Sequence, residues 1–255
     1  MNSIDFSIII PALIAGMLVL ASHVPLGMKV LARGIIFADL AVAQIAGLGV
    51  IFAELLGVSD TPWMLQMIAV SSALIGAVLL SQVERHYSEI QEALIGLIFV
   101  LAATAGILLL SRDVHAGEHI KDLLVGQILW VTSPQLLATA LITAVLLITW
   151  RQFASRLSTF GFYSLFAIAV TASVQLVGVY LVFASLIIPA LATHTLKKQR
   201  LIIAYLIGLI GYIAGLLLSL WLDLPSGATI VWMMAVSGLT ALIKFKISAC
   251  AKHPF

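Results

Sequence analysis

The sequence predicts an all-α polytopic membrane protein with eight or nine transmembrane helices, on three observations. Charged residues make up 9% of the chain, against about 25% in soluble domains. Hydrophobic residues make up 62%, and the mean hydropathy is +1.18. The apolar residues fall into runs close to the ~20 residues that a spanning helix needs. None of these runs alternates in polarity, as the strands of a membrane barrel would. Lipid offers the backbone no hydrogen-bond partners, so each run is expected to be a helix. The 255 residues leave no room for a separate soluble domain of about 100 residues, and residues 1–255 are read as one transmembrane domain.

The first run, Ser7–Ser22, follows Met1–Asp5, which carries no basic stretch. No small-x-small cleavage site comes after it, so it reads as an uncleaved span rather than a signal peptide. Ile35–Gly57 contains an acid, Asp39. Pro62–Gln82 and Glu92–Ser111 flank the polar loop Val83–Gln91. The most polar segment, Arg112–Asp122, separates them from Gln127–Thr149. Gly161–Val174 and Val177–His194 are short and nearly fused. They are either two spans with a turn near Val177–Gly178 or a pair of half-helices that enters and returns. Leu201–Leu222 carries Gly211-Tyr-Ile-Ala-Gly215, whose small residues let helices approach closely, and Gly47 and Gly49 do the same in the second run. Ser226–Ile243 is last. Trp63, Trp130, Trp150, Trp221 and Trp232 lie mostly near run ends, as an interfacial belt would have them.

Orientation follows from the basic residues. With the N-terminus outside, Lys29, Arg33, Arg85, Arg151, Arg156, Lys197, Lys198, Arg200, Lys244, Lys246 and Lys252 fall inside, and only Arg112 and Lys121 fall outside. The positive-inside rule therefore predicts N-out and C-in. A net charge of +2 gives no reason to expect nucleic-acid binding. The single cysteine, Cys250, excludes an internal disulfide and a Cys-x-x-Cys pair. No Gly-x-x-x-x-Gly-Lys-Ser/Thr loop occurs, so if ATP drives this protein, another chain binds it.

Seven residues could carry chemistry. Asp39 is the one acid inside an apolar run, and a charge at the bilayer centre costs about 2.5–3.5 kcal/mol on insertion scales. It either faces a transport path or pairs with Arg33 or Lys29. Gln44, five residues on, lies roughly 140° round the helix from it, so the two are not expected to share one ligand. In the outer loop, His115, Glu118 and His119 supply two imidazoles and a carboxylate, a set suited to zinc. His115-x-x-Glu118-His119 also has the spacing of an inverted zinc-protease motif, but no Glu follows Glu118 to complete it. His23 and His194 are placed at the inner ends of spans, as hydrogen-bonded interfacial residues.

Four stretches resemble the ABC-3 type metal permeases, in that family's order. Val24-Pro-Leu-Gly27, Leu31-Ala-Arg-Gly34 and Phe37-Ala-Asp39 resemble the start of its second span. Leu123–Thr132 resembles the start of its middle span. Val177–Ala190 resembles its most specific stretch, and Asp223–Val231 its Asp-Leu-Pro-Ser-Gly turn. The resemblance implies a type II importer-like bundle that moves zinc, manganese or iron as substrate and holds no tight cofactor. It implies a second permease copy or similar chain, cytoplasmic ABC ATPases, an extracytoplasmic metal-binding protein, and a bacterial inner membrane. The family usually shows Asp-x-x-x-His in its second span; here Asp39 matches and Ala43 stands where the His would be. The family's acid-bearing docking helix is also changed, reading Arg151–Gly161 with no acid, and Val83–Gln91 is a second docking candidate. The alternatives are the same architecture carrying a metal chelate or other small solute, and, remotely, an intramembrane metallohydrolase built on His115–His119.

Overall fold

A computed structural model describes residues 6–57, 62–111, 123–153, 156–196 and 198–251. The helices are α1 (Phe6–Arg33), α2 (Ala38–Leu55), α3 (Pro62–His86), α4 (Gln91–Leu110), α5 (Ser133–Phe153), α6 (Thr159–Val177), α7 (Val179–Ala192), α8 (Arg200–Leu222) and α9 (Ser226–Ala251), with a 3-10 turn at Ile128–Trp130 before α5. All but α7 are long and apolar enough to cross a membrane, and no strand occurs among the described residues.

The helices alternate in direction, and contacts at both ends show it. At one end the last residue of α1, Arg33, meets Glu84 near the end of α3 and the Phe162 ring near the start of α6. Trp150 near the end of α5 packs on the same Phe162. Arg85, Arg151 and Arg200 sit at helix ends on this side too, so it is the basic end. At the other end, Val125 and Gly126 lie against Gly178 and against Gly227 at the start of α9.

These contacts decide between the two readings of residues 161–194. Helix α6 starts at the basic end and runs to Gly178; α7 returns, so that Ile188 and Ala192 lie beside Gly238, midway along α9. The pair is a helical hairpin with one glycine at its tip. Gly178 has φ +81° and ψ 162°, a backbone region open essentially to glycine alone. Its N–H still donates to the Val174 carbonyl at 2.8 Å, as a turn at membrane depth requires. With 14 residues, α7 is about 21 Å long, the shortest α-helix among the described residues. Val125 and Gly126 meet the tip, and Ile128 just beyond them is buried.

Two boundaries differ from the sequence reading. The first helix does not stop at Ser22. It runs on through Pro25 to Arg33, because neighbouring membrane helices satisfy the carbonyl that a proline frees. His23 is therefore not at the inner end of a span: it lies ten residues before the last residue of α1, fully buried. Likewise Gln127–Thr132 is not helical membrane span but the 3-10 turn and its flanks, and α5 begins only at Ser133. The Gly-x-x-x-Gly in α8 does what its spacing suggests. Gly211 abuts Met234 and Gly215 abuts Ile230, both on α9.

Candidate translocation site

Asp39 is the second residue of α2, at the basic end. Its helix face follows from the 100° step per residue. Ile45 and Gly49 face α3, where they meet Gly76 and Ser72. Ile51 faces Gly106 of α4. Phe52 is exposed on the outer side. Asp39, Ala43 and Ala46 occupy the remaining face, turned to the middle of the bundle, where α2 packs on α6. Asp39 is 0% exposed and Ala43 1%.

Neither carboxylate oxygen of Asp39 has a hydrogen-bond partner among the described residues. The ion pair with Arg33 or Lys29 does not form. Arg33 Nη1 instead contacts both oxygens of Glu84 at 3.3 Å, and Lys29 is exposed. Burying a polar group without partners costs several kcal/mol in an apolar medium, so Asp39 is held there against its own solvation. Buried ionisable groups within membrane segments mark transport paths as a rule.

Around Asp39's end of the bundle, five helices are tied together. Gln91 Nε2 of α4 donates to the Arg33 carbonyl at 2.9 Å. Glu92 Oε1 accepts from the Phe37 N–H at 3.0 Å, serving one of the orphan donors at the start of α2. The Arg33 guanidinium lies 4.1 Å from the centre of the Phe162 ring. Tyr163, the next residue of α6, is fully buried with its hydroxyl unpartnered. The sequence reading singled out none of Glu84, Glu92, Phe162 or Tyr163. The only signal was three acids, Glu84, Glu89 and Glu92, within one short stretch on the side that collects the bases.

Gln44 points elsewhere, as its angle from Asp39 requires. It lines a cavity of about 430 Å³ between α2, α4 and α7, with Leu40, Phe99, Leu123, Tyr180 and Phe183. Leu123 also packs against Gly47, so the segment beside the hairpin roofs this cavity. His23 holds its Nδ1 at 3.0 Å from the Val19 carbonyl and 2.9 Å from Ser22 Oγ, leaving Nε2 buried without a partner. His194 lies at the C-terminal edge of α7, exposed, its Nδ1 on the Leu191 carbonyl. His115, Glu118 and His119 lie outside the described residues, and with them the outer-loop site. Among the described residues no three His, Cys, Asp or Glu side chains come together as a metal cage. A buried carboxylate without resident ligands around it suits passage rather than storage.

Comparison with known proteins bears on the family and the fold. The sequence profile of the ABC 3 transport family matches residues 5–162 and 151–245. A manganese transport system membrane protein, MntC, of Halalkalibacterium halodurans is 26% identical over 266 aligned positions, covering 95% of this chain and 88% of that one. A chelated iron transport system membrane protein, YfeD, of Yersinia pestis is 26% identical over 60% of this chain and 59% of its own length. Among solved structures, PsaBC from Streptococcus pneumoniae in complex with Fab superposes with a TM-score of 0.74, covering 93% of this chain and 91% of that one at 20% identity. That likeness is one of fold.

Proposed function

Because the chain belongs to the ABC 3 transport family and is a multi-pass membrane transport subunit rather than an enzyme, we propose that it forms the translocation path of an ATP-driven importer for divalent metal ions, zinc, manganese or iron. The observation that carries this reading is Asp39: a fully buried carboxylate with no partner, on the bundle-facing side of a spanning helix. A cation moving along that face finds a negative group whose own solvation has been removed, so contact is favourable. Among the described residues it finds no second and third ligand beside it, so contact is brief.

Energy must come from elsewhere, since no phosphate-binding loop is present in the sequence. We assign ATP hydrolysis to cytoplasmic ABC subunits docking at the basic end, on Arg151–Gly161 or Val83–Gln91. We assign delivery to an extracytoplasmic metal-binding protein meeting the outer loop, where His115, Glu118 and His119 would touch the ion in passing. A second permease copy or a similar chain completes the path. The N-terminus is outside and the C-terminus inside.

A second reading, import of a metal chelate by the same architecture, is favoured by Ala43. It stands one helical turn from Asp39 on the same face and brings no ligand. Reconstitution with the ATPase and the binding protein in vesicles separates the two. ATP-dependent uptake of free manganese, zinc or iron ions supports the first reading. Uptake only when the iron is chelated establishes the second, and uptake of neither form refutes both.

A further inference from the structure

Seven buried side-chain polar atoms lack a hydrogen-bond partner among the described residues. Five of them are oxygens at the basic end of one sector of the bundle: two on Asp39 and one each on Gln91, Glu92 and Tyr163. A native interior normally leaves few such groups, each with a reason. Carboxylate, amide and phenol oxygens without a partner at this end of the bundle have lone pairs to offer a cation.

We propose that Glu84, Glu92 and Tyr163 form an inner exit station for a hard divalent cation, and that Arg33 is the built-in counter-ion which the cation displaces there. The proposal rests on the reading of the chain as a cation importer. The two glutamates alone would be only an acidic cluster. The independent observation is Tyr163, whose ring is fully buried and whose hydroxyl has no partner. That hydroxyl lies next to Glu84, outside ordinary hydrogen-bond geometry, with Arg33 and Glu92 also nearby.

The geometry orders the events. In this state Arg33 Nη1 sits 3.3 Å from both Glu84 oxygens, and the guanidinium is backed by the Phe162 ring at 4.1 Å. The cation site is therefore filled by the protein's own charge. The side chain of Arg33 is 31% exposed, so it can swing to solvent without unfolding α1. When a divalent ion comes down from Asp39, its double charge competes for Glu84 against the single charge of Arg33. Glu84, the free oxygen of Glu92, the Tyr163 hydroxyl and the Gln91 carbonyl then offer oxygen ligands only. Such a set suits manganese or magnesium better than zinc, which prefers imidazole and thiolate. Return of Arg33 to Glu84 expels the ion toward the basic end. No bond is made or broken.

The test uses the full chain in lipid nanodiscs with manganese ion as the probe, read by loss of the free-ion electron paramagnetic resonance signal. The ATP-dependent uptake of the whole complex is measured in parallel. Tyr163→Phe and Glu92→Gln should each weaken binding about tenfold, the scale on which metal-site partners act. Arg33→Gln should tighten binding by a similar factor and slow turnover, because nothing expels the ion. A structural role predicts otherwise: removing an unpartnered hydroxyl would leave ion binding unchanged. Wild-type affinity in both Tyr163→Phe and Glu92→Gln overturns the proposal, as does an Arg33→Gln variant with unchanged affinity. If the wild-type complex takes up no metal ion at all, the importer reading fails, and the binding data on the chain alone still decide the exit station.

Discussion

Replacing Gly178 by alanine tests the central joint of the fold. Its φ of +81° with ψ 162° lies where an L side chain is strained, at about 1–3 kcal/mol. The added methyl would also strike the backbone of Gly126 and Val125. That contact is backbone on backbone, so it does not relax by a rotamer change, and overpacking of this kind costs roughly 1–3 kcal/mol. Together about 2–6 kcal/mol is expected for Gly178→Ala. Gly96 is the control. It lies inside α4, and nothing is within 4 Å of a methyl built on it. Gly96→Ala should therefore be neutral or stabilise by up to about 1 kcal/mol, the helix propensity difference. Reversible unfolding in mixed micelles with increasing sodium dodecyl sulfate, followed by tryptophan fluorescence, measures both. A Gly178→Ala loss below about 1 kcal/mol, or equal effects at the two sites, would refute the argument that the hairpin tip and residues 125–126 meet at van der Waals contact.

Asp39→Asn should abolish or strongly reduce uptake while insertion and assembly persist; unchanged transport would reduce Asp39 to a structural residue. A thiol introduced as Gly117→Cys should react with an impermeant reagent in intact cells, and native Cys250 should not; labelling of Cys250 would invert the orientation. Phe153 is exposed at the basic end and Arg156 lies three residues on, so Phe153→Asp with Arg156→Asp should abolish copurification of the ATPase. Retained copurification would move docking to Val83–Gln91. His115→Ala with His119→Ala should raise the metal concentration needed for half-maximal uptake and leave assembly intact, and an unchanged concentration dependence would exclude the outer loop as a relay.

Hydropathy sufficed for the class and for most spans because the bilayer imposes one length and one backbone solution on each. It misplaced the end of α1 for the same reason. His23 and Pro25 interrupt an apolar average, yet neither ends a helix that neighbours can support. The turn near Val177–Gly178 was legible in the sequence, but whether the pair crosses or re-enters was not, because a one-residue turn leaves no polar loop to mark it. What makes Gly178 a turn is its neighbour in space, Gly126, which is 52 residues away in sequence.

The site divides along the same line. Asp39 was legible because an acid in an apolar run is costly wherever it points, and its inward direction followed once the exposed face of α2 was known. The clasp at the basic end was not legible. Arg33 reads as one more positive-inside residue, Glu84 and Glu92 as loop acids, and Phe162 and Tyr163 as ordinary apolar positions. Their meaning arises only from contact across α1, α3, α4 and α6, between residues 51 and 58 positions apart for the Glu84 and Gln91 contacts to Arg33. Topology explains why the meeting happens there. Helices that alternate in direction bring the end of α1, the start of α2, the end of α3 and the starts of α4 and α6 to one membrane face. The positive-inside rule then loads that face with bases. Three acids at a face selected for bases are thus placed against the local average. One of them, Glu84, neutralises a base directly, and another, Glu92, caps a helix with one oxygen and leaves the other free. An acid held beneath a transport path with an unused oxygen is better explained by a passing cation than by the fold, which would stand as well with glutamine at that position.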